Sequence, residues 1–273
     1  MLKKIFSFLL LFFIIQTVFI HNSASLLEKN KSKVIVFDIG GVLLLTDSFV
    51  SLKKLGITTT LAYAWQQKSW NSDALRLKFF QVLLAIEPFD PKKTYTVKDD
   101  HGVLIPPVML NWLTGTSGSV IKKQIKVFMA QNKSFFKSKQ EAELVKNLAN
   151  MVFEPYNFIK SRKLNSSVVK LLPILAQHKY TILLCSNWDS ESFEFCKKKF
   201  PEIFNYVDGY IISGQEKCLK PNPEIFQRLI EKYKIDPTQQ LCLFIDDQKE
   251  NRATAKQFGF RTYHPDTFKK IVG

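Results

Sequence analysis

Apolar residues reach this chain in two rhythms. Residues 33–39, KVIVFDI, form a short, nearly unbroken apolar run rich in valine and isoleucine, stopped by Gly40 and Gly41. Such a run predicts a strand buried on both faces. The next run of this kind, YTILLCS, starts only at residue 180. Between them, TTTLAYAWQQKSW, SDALRLKFFQVLLAI, SVIKKQIKVFMAQ and SKQEAELVKNLANMVF repeat apolar residues at three- and four-residue spacing, which predicts amphipathic helices. EPFDPKKTYTVKDDHGVLIPP interrupts them, and Pro88, Pro91, Pro106 and Pro107 predict a loop there.

From residue 165 helix and strand patterns alternate. SSVVKLLPILAQHK, SESFEFCKKKF, PEIFQRLIEKYK and KENRATAKQFG read as helices, separated by YTILLCS, VDGYIISG, QLCLFIDD and FRTYH as strands. This alternation predicts an α/β fold, a doubly wound parallel sheet covered on both faces. The first strand belongs to that sheet, so residues 33–46 and 165–273 form one core. Residues 47–164 form a mostly helical insertion.

Polar residues fall where such a sheet binds ligands, beyond the carboxyl ends of its strands. Asp38 follows the first strand, Ser186 and Asn187 the second, and Asp246 and Asp247 close LCLFIDD. Lys220 stands in GQEKCLKPNPEIF, before a helix expected to start with Asn222 as N-cap and Pro223 in its first turn. Singly, each has a plain alternative: an aspartate or serine caps a turn, and Lys220 is one lysine among many. Two adjacent carboxylates at a buried strand end repel each other and call for a cation, and hard oxygen ligands suit magnesium. Carboxylates, a divalent metal, an ammonium and a hydroxyl together meet the needs of phosphoryl transfer.

These segments resemble, in order, the four motifs of the haloacid dehalogenase-like superfamily: FDIGGVL, LLCSNWDSESF, GQEKCLKPNPEIF and LFIDDQKEN. The nearest resemblance is to its phosphatase branch, with a helical cap inserted after the first strand. It implies that Asp38 is a nucleophile that forms an aspartyl phosphate, and that Mg2+ is held by Asp38, the carbonyl of Gly40 and Asp247, with Asp246 as a further ligand or as a partner behind them. It further implies that Ser186 and the backbone around Asn187 bind the phosphoryl group of a small phosphorylated substrate, such as a sugar phosphate, and that Lys220 balances charge. Asn251 either ties the fourth loop to the site or lies on a helix surface. Gly40 departs from the pattern. Most phosphatases of the family carry there a second aspartate that protonates the leaving alcohol; a glycine suits a tight loop but donates no proton. A weakly catalytic binding protein is therefore the alternative, with a 2-haloacid dehalogenase behind it.

Composition adds three constraints. The net charge is +15, yet only five of the 39 basic residues are arginine and the lysines are scattered along the chain, so no nucleic-acid partner is expected. Residues 1–25 have a basic start, an apolar run and small residues after it, HNSAS, which reads as a signal peptide for export or, uncleaved, as a membrane anchor. Of four cysteines, Cys185 and Cys242 lie inside strands; Cys196 and Cys218 are the pair open to a disulfide.

Overall fold

The computed structural model describes residues 32–66, 72–99 and 101–272. The expected signal peptide or anchor lies outside them. Among the described residues no helix is long and apolar enough to cross a membrane.

Five strands form one parallel sheet: β1 (Lys33–Phe37), β4 (Tyr180–Ser186), β5 (Gly209–Ile212), β6 (Leu241–Ile245) and β7 (Arg261–Tyr263), in the order β5-β4-β1-β6-β7. Beside β1 the chain runs to β4 on one side and β6 on the other, so their carboxyl ends flank a switch point, and Phe37 is in register with both Leu184 and Ile245.

Alternate residues of these strands feed two apolar layers. Ile35, Phe37, Ile182, Leu184, Leu243 and Ile245 pack on one face. Val34, Val36, Leu183, Cys185, Cys242 and Phe244 pack on the other. The sheet corrects the disulfide expectation. Cys196 belongs to the first layer and Cys218 to the second, so the sheet stands between them, and all four thiols are free and buried. Burial pushes the thiols of Cys185 and Cys196 up to about 12, which leaves them inert.

Between β1 and β4 a small antiparallel pair, β2 (Leu44–Thr46) with β3 (Arg162–Leu164), brackets seven helices. These are α1 (Ser48–Leu55), α2 (Ile57–Gln66), α3 (Ser72–Ile86), α4 (Pro107–Leu113), α5 (Gly118–Gln131), α6 (Lys139–Phe153) and α7 (Pro155–Lys160). They enclose an apolar core of their own, with Phe79, Leu83, Trp112, Ile121, Leu144 and Phe153 inside. Helix α4 was hidden by the prolines before it: Pro107 occupies its first turn, where the missing N–H costs no hydrogen bond.

This helical layer touches the sheet near the strand ends. The Ser213 hydroxyl, fully buried just after β5, donates to the Leu113 carbonyl (2.7 Å) and accepts the Trp188 N–H (2.9 Å). Ser117 donates to Glu191 (2.8 Å), and the rings of Phe158 and Trp188 meet edge-on at 5.2 Å.

Candidate active site

Asp38 stands one residue beyond β1, its N–H donating to the Ile245 carbonyl (2.9 Å), which aligns it with the end of β6. Ser186 ends β4, is 1% exposed, and its hydroxyl bonds Asp38. Lys220, also 1% exposed, places its ammonium 2.6 Å from Asp246 Oδ2 and 3.1 Å from Asp38 Oδ1. One oxygen from each of Asp38, Asp246 and Asp247 lies within 4.8 Å of the others. The strands thus bring together residues up to two hundred positions apart, because three apolar runs end at one level.

Electrostatics follows from burial. Desolvation pushes the Asp38 carboxyl above the ordinary carboxylate range; the Lys220 ammonium pulls it back and Asp246 adds to the rise. Burial alone would lower Lys220, but the carboxylates of Asp246 and Asp38 outweigh it and hold the ammonium charged. Lys220 thus stands between two of the three carboxylates, Asp38 and Asp246.

Two residues hold their neighbours in place. The side chain of Asn187 grips the backbone of Lys220, accepting its N–H (2.7 Å) and donating to its carbonyl (2.9 Å). It orients the lysine rather than reaching outward. Asp246 is fully buried: Oδ2 accepts from Lys220, Oδ1 from the Gln248 N–H (2.8 Å), and the Asn251 amide reaches both oxygens at 3.1 Å. Asn251, 2% exposed, therefore ties the fourth loop to the site. Ser213 was not foreseen, although it closes YIIS as Ser186 closes ILLCS, a signal present in the sequence.

The cluster fits a hard divalent cation. Three carboxylates offer hard oxygen ligands within 4.8 Å of one another, and Asp38 Oδ1 is buried among them with the Lys220 ammonium 3.1 Å away. The two glycines now separate. Gly41 has φ +73°, and a Cβ there would lie 2.3 Å from Asp247 Oδ2. Gly40 needs no such backbone, and a Cβ there would meet only Trp188, at 3.6 Å. The conformational demand expected of residue 40 thus falls on residue 41.

Gly41→Ala should cost about 1–2 kcal/mol through the left-handed backbone alone. It should also weaken divalent-cation binding at least tenfold by displacing Asp247. Gly40→Ala should change stability by less than about 1 kcal/mol and leave cation affinity within threefold. Urea midpoints and magnesium titration calorimetry on both variants check this; equal behaviour of the two would contradict it.

A parallel sheet with this switch point, carrying a carboxylate cluster at its strand ends, defines an α/β protein with a candidate site at those ends. The chain belongs to the haloacid dehalogenase-like hydrolases, whose family model matches residues 32–259. Among solved structures it is similar to a HAD family enzyme from Bacteroides thetaiotaomicron, at 20% identity over 86% of this chain and 94% of that one, with a TM-score of 0.54. The wild-type form of that enzyme, in complex with magnesium and inorganic phosphate, matches at 19% identity over 85% and 93%, TM-score 0.52. A dehalogenase with an intermediate complex matches at 15% identity over 85% and 84%, TM-score 0.51. At these identities the likenesses establish the shared fold.

Proposed function

We propose that the chain is a magnesium-dependent phosphomonoester hydrolase. The observation that carries this reading is the convergence of three carboxylates, Asp38, Asp246 and Asp247, with one oxygen of each within 4.8 Å of the others. A carboxylate nucleophile for a haloacid needs no such convergence, whereas a divalent cation does. The complex of the Bacteroides relative with magnesium and inorganic phosphate supports the same reading.

Asp38 and Asp247 would hold Mg2+, with the Gly40 carbonyl as the third protein group; Asp246, already bonded through both oxygens, anchors Lys220 and the fourth loop. When bound, the ion supplies charge for the phosphoryl oxygens. Asp38 Oδ attacks phosphorus, the bond from phosphorus to the leaving oxygen breaks, and that oxygen departs with the electron pair. Water then cleaves the aspartyl phosphate, releasing inorganic phosphate and restoring Asp38. Ser186 and the backbone after it donate to the phosphoryl oxygens, while Asn187 holds Lys220 where its charge balances nucleophile and phosphate. The helical layer over the strand ends serves as the cap that excludes water and selects substrate.

Gly40 brings no proton to the leaving oxygen, and general acid assistance is worth about 10²–10⁴ in rate. The preferred substrates are therefore phosphates whose leaving group departs unprotonated, such as a sugar 1-phosphate or an acyl phosphate. The same missing proton favours a second reading, a phosphate-binding protein with little turnover.

The test is release of p-nitrophenol from p-nitrophenyl phosphate by the purified chain, with magnesium and with a chelator. Turnover that requires magnesium is expected. Magnesium-dependent phosphate binding without turnover of any activated ester would favour the binding protein. Chloride release from 2-chloropropionate without metal would replace the proposal by dehalogenation.

A further inference from the structure

Helix α5 carries three lysines within five residues, KKQIK, and the fold sets a fourth, Lys146 of α6, beside them at one groove. Helices α5 and α6 enclose a hollow of about 580 Å³ whose rim carries Lys122, Lys123, Lys126 and Lys146. Its floor is apolar, made by Ile125 and Ala149, which are buried in the helical core, and by Met129. Ala149 is small, so its side chain leaves the floor open. None of these residues belongs to the carboxylate cluster.

The charges are poorly balanced. Lys122 pairs with Glu154, whereas Lys123, Lys126 and Lys146 have no acidic partner among the described residues. Lys122 and Lys126 are also one helical turn apart, an arrangement of like charges that opposes helix stability. An anion at the rim relieves that repulsion, and an apolar body covers the floor. The hollow has the volume of a pocket for one organic molecule and is concave, unlike a surface that lies flat on a bilayer.

We infer that this groove is a second binding site, separate from the strand-end cluster, for a single amphiphilic anion: an acyl or aryl body ending in a carboxylate, sulfonate or phosphate. The inference does not depend on the phosphatase reading.

The probe is 8-anilinonaphthalene-1-sulfonate, titrated into the full chain and followed by fluorescence, with decyl sulfate below its micelle concentration as competitor. Saturable one-to-one binding is expected, displaced by decyl sulfate and not by inorganic phosphate with magnesium. Lys126→Glu combined with Lys146→Glu should weaken it at least tenfold. Lys170→Glu with Lys256→Glu, the same charge change at exposed sites elsewhere, should change it less than threefold. Both pairs are exposed, so circular dichroism should stay unchanged.

Equal weakening by the two pairs would reduce the effect to net charge and overturn the proposal. Displacement by inorganic phosphate would move the probe to the strand ends and overturn it too. So would binding to phosphatidylserine vesicles without binding of either soluble anion, since the face would then be a membrane surface.

Discussion

Lys220→Met is expected to destabilise the protein by about 3–5 kcal/mol, the cost of removing one partner from a buried ion pair. Methionine keeps the apolar stem, so the loss isolates the charge. Among the described residues the ammonium is the only cation shown against Asp38 and Asp246, and without it these two buried carboxylates face each other, with Asp247 close by. For a protein of this size the melting temperature should fall on the order of 10 °C, measured near neutral pH without divalent ions. The sign of its pH dependence is fixed. Burial already raises the Asp38 pKa and Lys220 holds it down, so without the ammonium it rises further; the folded form then holds this proton more tightly and the deficit should shrink as pH falls toward 4. Magnesium should restore part of the lost stability by binding only the folded cluster. A loss below 1 kcal/mol would show that Lys220 is not the counter-ion of the buried cluster.

Asp38→Asn should have the opposite balance, a kinetic collapse without a structural one. If Asp38 is the nucleophile, turnover of p-nitrophenyl phosphate should fall at least about a thousandfold, as expected when an attacking group is removed. Stability without metal should hold or rise, because the amide removes the cost of burying the Asp38 charge beside Asp246.

Here too the pH sign can be worked out. The Asp38 pKa is raised above 3.8 mainly by burial, so its protonated form stabilises the fold at low pH and that contribution is lost as pH rises through the folded pKa. Asparagine does not titrate. Its advantage over the native protein should therefore be absent below about pH 4, open as pH climbs past that value, and persist at neutrality. Denaturation midpoints across this range, together with kcat, measure both halves. A variant that keeps a tenth of the native turnover would place the nucleophile elsewhere.

The parts of the sheet that carry the site were legible from the sequence because buried parallel strands write themselves as continuous apolar runs. YTILLCS coincides with β4, and VIVF and LCLFI fall within β1 and β6. The polar residues after those runs then marked the strand ends. Short elements left weaker traces. The three-residue strands β2 and β3 are too brief for a period, and α4 and the closing helix Pro265–Val272 each begin with a proline that reads as a breaker. Only the packed chain shows Phe268 of that last helix buried edge-on against Phe37.

The chain by itself determined which chemical groups stand at the ends of which strands: a carboxylate after the first, a hydroxyl after the second, two carboxylates after the fourth. Side-chain period and apolar continuity are local properties, and a linear reading captures them. Tertiary structure decided everything that depends on approach between distant segments. It buried Lys220, already marked by its motif, between two carboxylates, and turned the Asn187 side chain toward the backbone of that lysine. It assigned the strained turn to Gly41 because Asp247 closes against it, and set the sheet between Cys196 and Cys218. Distance, burial and the sharing of charge exist only once the chain has folded upon itself.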